Sequence, residues 1–302
     1  MIVQSIPYPA SAGGGGGHRY WRINQTTNHG NASTQFIEVE MRETPGGSDV
    51  TGSGTASGGG GFTGSTPANA FDNTLGAAYV PTGASGWLKY DFGLGNAKNI
   101  VEVAIKAASA TGSQTNFAAA PKDFTIEWSD DDSAWTQLGS ACALYGPILD
   151  HYHVFPETVP AAGFHRFWRI LCTTANGGTF YLIDEIEFRA TSGAADQVPV
   201  QSGANGDSGG RSIMGAGSNA WNAFDGTTAA WSSSGTTNQW VGFIFPTAVK
   251  VEEILLRATA NTSRTVNTGA IEYSDDQVTW TSQKALTGLT WTASEAKVLA
   301  AI

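Results

Sequence analysis

Hydrophobic and polar positions alternate over short stretches of this chain, and the alternation is written twice. In His18-Arg19-Tyr20-Trp21-Arg22-Ile23, Tyr20 and Arg22 fall on one side of a strand and Arg19, Trp21 and Ile23 on the other, because successive strand side chains point to opposite faces. His165-Arg166-Phe167-Trp168-Arg169-Ile170 repeats the phrase. Each copy leads, at one constant offset, into an alternating acidic segment, Phe36 to Arg42 and Ile183 to Arg189; in the first, Glu38 and Glu40 share a face. Three further pairs follow in the same order: Asn69-Ala70-Phe71-Asp72 with Asn222-Ala223-Phe224-Asp225, Trp87 to Phe92 with Trp240 to Phe245, and Ile126 to Asp131 with Ile271 to Asp276. Ordered self-similarity with shifting offsets implies duplication, with insertions and deletions confined to loops.

The pattern predicts strands over Phe36 to Arg42, Trp87 to Phe92, Ile100 to Ile105 and Phe124 to Trp128. Gly46 to Gly64 is predicted as loop, and Ser129-Asp130-Asp131-Asp132-Ser133 as a turn, since Asp and Ser bond their own backbone there. Trp135 starts the strand beyond it. No stretch sustains a helical period. Many short strands, each needing a facing sheet to bury its apolar side, imply an all-β chain of two tandem β-sandwiches of jelly-roll type. Trp21, Trp87, Trp168 and Trp240 are expected in the cores, because they sit on strands with apolar partners.

A length of 302 residues accommodates two ordinary cores. A net charge of −10 argues against a phosphate-backbone partner, so no nucleic acid is expected. Residues 1–17, with two prolines and then Gly13 to Gly17, read as an arm that either links or docks on a neighbouring protein in an assembly. Met1 to Pro9 lacks a basic start followed by an apolar run, and nothing later is long and apolar enough to insert in a bilayer, so synthesis in a cytoplasm is expected. Cys142 and Cys172 fall at non-equivalent places of the repeats and read as free thiols.

Two local motifs suggest chemistry without supplying its context. Gly206-Asp207-Ser208-Gly209-Gly210 matches a serine-protease nucleophile motif, but no His stands in the sequence context that such an enzyme uses, and Ser208 lies in a Gly-rich loop. His151 and His153 would share a strand face, yet metal sites need three or more ligands and no other ligand joins them in sequence. His18 and His165 recur beside the Arg-aromatic-Trp strand as packing positions. No catalytic constellation is legible, and a non-enzymatic role is expected.

Trp87 to Gly93, Ile126 to Trp135 and the Arg-aromatic-Trp-Arg-Ile strand with its late Glu-x-Glu together resemble the discoidin, or coagulation-factor type C, group of galactose-binding-like domains over nearly all of residues 18 to 302. In that family the Arg-aromatic-Trp strand closes the domain, whereas here it opens each repeat. Cutting before each His-Arg phrase gives two complete, circularly permuted units, 18–164 and 165–302. The alternative is that strands 18–43 complete the second domain or a neighbouring subunit.

The resemblance implies a structural calcium between the aromatic-Asp turn and the late Glu, matched here by Asp72 with Glu38 and Asp225 with Glu185. Asn73 in place of the family's glycine and Ala77 or Ala230 in place of its threonine depart from that pattern. It also implies sugar binding by exposed aromatic rings on loops at one end of the sandwich. The matching candidates are Phe62, Tyr79 and Phe117 in the first repeat, and Trp221 and Trp231 in the second. The Gly-rich arm, the low charge and the His-Arg opening look like modules of tailed-bacteriophage virion proteins. That similarity implies attachment to a host-surface glycan from a tail or capsid position, docking on other virion proteins through residues 1–17, and homo-oligomerisation in the assembly. The rival expectation is a purely structural decoration or connector protein.

Overall fold

The computed structural model describes residues 16–59, 65–108, 116–148, 151–157, 160–203 and 209–301. The chain is all-β, its helical content limited among these residues to short 3-10 turns. It divides into two compact units, Met1–Thr158 and Val159–Ile302, a little before the expected cut at residue 165.

The first unit contains β1 (Tyr20–Gln25), β2 (Glu38–Arg42), β3 (Thr55–Gly58), β4 (Gly86–Asp91), β5 (Glu102–Lys106), β6 (Asp123–Ser129), β7 (Thr136–Gln137), β8 (Cys142–Ala143) and β9 (Tyr152–Phe155). One antiparallel sheet runs β3-β4-β1-β6-β7, with β8 also on β6, and the other runs β2-β5-β9. β1 pairs with β4 and β6, and β2 with β5, so strands 18–43 complete the first unit itself. β3 corrects the expectation of uninterrupted loop from Gly46 to Gly64. Its small residues carry no hydrophobic pattern, but their backbone adds a ladder to β4.

The second unit contains β10 (Phe164–Ala175), β11 (Leu182–Arg189), β12 (Arg211–Met214), β13 (Gly217–Ser218), β14 (Trp231–Ser233), β15 (Gln239–Lys250), β16 (Glu253–Ala258), β17 (Val266–Ser274), β18 (Thr281–Leu286) and β19 (Ala296–Ala301). Its sheets run β12-β15-β10-β17-β18 and β13-β14-β11-β16-β19.

Each unit has one core shared by its two sheets, which is the sandwich arrangement. In the first, Trp21, Ile23, Leu88 and Ile126 meet Val39, Met41, Val103 and Ile105; in the second, Trp168, Ile170 and Phe243 meet Ile186, Phe188 and Leu256. Burying rings of this size stabilises by about 1.5–3 kcal/mol each. Their one polar group is satisfied: Trp21 Nε1 donates to the carbonyls of His18 and Lys98, and Trp168 Nε1 to that of His165. No helix among the described residues is long and apolar enough to cross a membrane.

Candidate functional site: an aromatic sheet face and two acidic turns

The loop aromatics divide. Tyr79 and Trp231, expected as exposed rings, are wholly buried. The reason lies in the backbone: Tyr79 forms a β-bridge with Phe36, Trp231 belongs to β14 on the edge of β11, and each pairing turns its ring into the core. Phe117 opens a 3-10 turn, Phe117–Ala119, capped by the Asn116 side chain, and Trp221 lies in the 3-10 turn Ala220–Phe224. Both remain half-buried. Phe62 lies outside the described residues.

A different set of rings faces outward. Trp87 and Trp240, expected in the cores, are half-buried on the outer faces of β4 and β15, opposite the inward Leu88 and Val241. The turn after β6 adds a second ring. Asp131 accepts from the Ala134 and Ser133 N–H groups and from Ser129 Oγ, which closes the turn and carries Trp135 back over the outer face. The same backbone N–H bonds hold the Asp131 carboxyl far below the usual carboxylate range.

Arg22 lies 4.0 Å from the Trp135 ring centroid, and its guanidinium is held by Glu127 at 2.6 Å. Glu127 also accepts from Thr125 Oγ1 and Asn24 Nδ2. Burial pushes the Glu127 carboxyl up, but these hydrogen bonds outweigh it and leave it below its ordinary value. Lys89 pairs with Asp132 at 2.6 Å and lies 5.4 Å from the Trp87 ring. Arg22, Trp87, Lys89, Asp132 and Trp135 enclose a recess of about 270 Å³.

The second unit repeats the arrangement with fewer charges. Arg169 lies 3.8 Å from the Trp280 centroid and 5.1 Å from that of Trp240, and is held by Glu272 at 2.6 Å. Gly242 and Gln277 stand where the first unit has Lys89 and Asp132. Beside Trp240 a recess of about 280 Å³ opens against β12, lined among others by Arg211, Ile213 and Asn219. A Cβ on Gly215 would come within 2.6 Å of Trp240 Nε1, so glycine there is what lets the ring lie over the backbone.

Trp135 and Trp280 are the functional candidates that sequence reasoning passed over. The signal was present: each follows a Ser-Asp-Asp turn at the same interval in both repeats. Chemically, each face offers a flat apolar surface beside a fixed guanidinium and its carboxylate partner.

The acidic turns are the second feature. Glu38 is fully buried, and neither carboxylate oxygen has a hydrogen-bond partner. Burial and then the charge of Asp72 push its carboxyl up to about 8; the Val39 and Asn73 N–H groups lie near enough to offset part of this but outside hydrogen-bond geometry. Asp72 is exposed and accepts from Thr74 N and Oγ1, which shapes the turn. A buried carboxylate with two idle oxygens facing a second carboxylate fits a hard cation. Glu38 and Asp72 would hold the ion, and calcium there would supply structural charge balance. Among the described residues no three His, Cys, Asp or Glu side chains converge as a metal-binding group, so the remaining ligands would be backbone carbonyls.

Glu185 and Asp225 are brought together likewise, yet the equivalent place does not fit a metal. Glu185 accepts from the Gly226 N–H at 2.8 Å, and its Oε2 lies 3.7 Å from Arg257 Nη2. Burial still raises the Glu185 carboxyl to about 8, against the pull of Gly226 and Arg257.

His153 Nε2 accepts the Ile148 N–H at 3.1 Å, which takes one of its two metal-ligating nitrogens. Cys142 and Cys172 are buried free thiols, and burial pushes Cys142 up to about 12. Ser208 lies outside the described residues. Compared with family models, with curated proteins and with solved structures, the chain finds no match in any of the three.

Proposed function

We propose that this chain is a non-catalytic carbohydrate-binding protein of a bacteriophage virion, made of two discoidin-like modules that attach to a host-surface glycan. One observation supports its carbohydrate-binding part: both units present a Trp-Arg-Trp face on the outer side of a sheet, Trp87-Arg22-Trp135 and Trp240-Arg169-Trp280. Indole faces stack on the apolar face of a pyranose, and the fixed guanidinium and carboxylate groups beside them bond its hydroxyls. Two such faces on one chain give avidity where each is weak. The binding surface therefore moves from the loop tips to the sheet face, with Phe117 and Trp221 kept as loop candidates. Residues 1–17 are assigned to docking on other virion proteins.

The test is a glycan array probed with the full chain, with and without calcium, beside Trp135→Ala and Trp280→Ala, each checked for folding by circular dichroism. The expected result is binding by the native chain that weakens in each variant and is lost in the double variant. A folded native chain that binds no glycan would replace this reading with that of a structural decoration or connector protein.

A further inference from the structure

The two units share one strand register around their acidic turns, and they fill it differently. Glu38 of β2 is paired across the sheet with Lys106 of β5, and Glu185 of β11 with Arg257 of β16. Cross-strand partners lie on the same face, so each glutamate has a cation within reach of its own fold.

In the second unit that cation is engaged. Arg257 Nη2 lies 3.7 Å from Glu185 Oε2 and donates to the carbonyl oxygen of Thr227, two residues beyond Asp225 in the turn. A buried carboxylate and a turn carbonyl are the oxygen types that a hard divalent ion takes as ligands. The guanidinium has taken both, and the Gly226 N–H bonds Glu185 as well.

In the first unit the matching cation is turned elsewhere. Lys106 is buried with its ammonium 4.4 Å from the Tyr152 ring centroid, and both Glu38 oxygens are left without a partner. The turn itself is kept: Thr74 N bonds Asp72 Oδ1 as Thr227 N bonds Asp225 Oδ1, and Asn73 and Gly226 both hold positive φ, at 56° and 71°. Among the described residues, the same turn thus meets a positive charge from the chain in one unit and none in the other.

We propose that Arg257 is the resident cation of the second unit's turn, whereas the first unit's turn takes a hard divalent cation against Glu38 and Asp72, so that the chain binds one such ion and not two. This does not depend on the glycan reading, since it concerns the opposite sheet of each unit.

Calcium chloride alone, titrated calorimetrically into the full metal-stripped chain, tests it. One ion per chain is expected. Asp72→Asn, which keeps the oxygen that Thr74 bonds and so leaves the turn intact, should weaken binding by about tenfold or more, as loss of a ligand charge does. Glu38→Gln should abolish it, and Glu185→Gln should leave it unchanged. Two ions on the native chain, none, or one ion that survives Glu38→Gln but is lost in Glu185→Gln would each overturn the assignment. A glycan result of either sign leaves the count untouched.

Discussion

His18 lies flat against Trp128, with ring centroids 3.4 Å apart, and its Nδ1 sits 3.0 Å from Asp130 Oδ2. His165 repeats this on Tyr273 at 3.6 Å, with Asp275 at 3.0 Å. In each unit the histidine fastens the entry of the central strand to the Ser-Asp-Asp turn of its neighbour. His165→Ala should lower stability by about 1–2 kcal/mol, the sum of one ring stack and one hydrogen bond. Urea denaturation would measure it, and His18→Ala should behave alike.

The two classes of tryptophan should separate in the same assay. Trp21→Ala or Trp168→Ala empties a fully buried site and should cost about 3–5 kcal/mol. Trp135→Ala removes a half-buried ring from the outer face and should cost about 1 kcal/mol, mostly its contact with Arg22. Equal losses would return Trp135 to a purely structural role.

Asp196 gives a pH dependence with a defined sign. Burial holds its carboxyl up at about 6 although its Oδ1 accepts from the Phe188 and Val198 N–H groups. The folded value is raised, so this group's contribution is fully present below its unfolded value of about 4 and is lost as pH rises through about 6. Asp196→Asn keeps the accepting oxygen without the charge. Above pH 6 it should be more stable than the native chain by on the order of 1–2 kcal/mol, discounted for partial exposure, and the gap should close near pH 4. Thermal melts from pH 4 to 8 would read it. In the first unit Asp49 stands at this place and also receives Thr51 Oγ1 at 2.5 Å, where the second unit has Val198.

Gly242 pairs with Arg169, and a Cβ there would fall 2.2 Å from the Trp168 carbonyl oxygen and 2.7 Å from Arg169 Cβ. Gly242→Ala should therefore push β15 away from β10, with a loss of about 1–3 kcal/mol, and shift Arg169 off Trp280. A chemical denaturation curve and the tryptophan fluorescence of the folded state would report the two effects.

The alternation of Tyr20 and Arg22 with Trp21 and Ile23 was readable because strand side chains have a period of two, and so were the β class and the turns at Asp131 and Asp276. The same period also set Trp87 and Trp240 opposite Leu88 and Val241, but apolar character alone pointed to the core. For Tyr79 and Trp231 the surrounding Gly, Ser and Ala suggested exposed loop; a single bridge or a three-residue strand carries too little pattern to be seen, yet it suffices to turn a ring inward.

By itself, then, the sequence determined which residues alternate, where the chain turns and that the chain is all-β, since those properties depend on neighbours a few positions apart. Tertiary structure alone decided which strand faces are covered, that Trp135 and Trp280 come to rest on arginines more than a hundred residues away in sequence, and that Glu185 meets Arg257 while Glu38 meets no partner. Those outcomes depend on sheet order and on which way one long side chain turns within a shared register. Local periodicity carries neither.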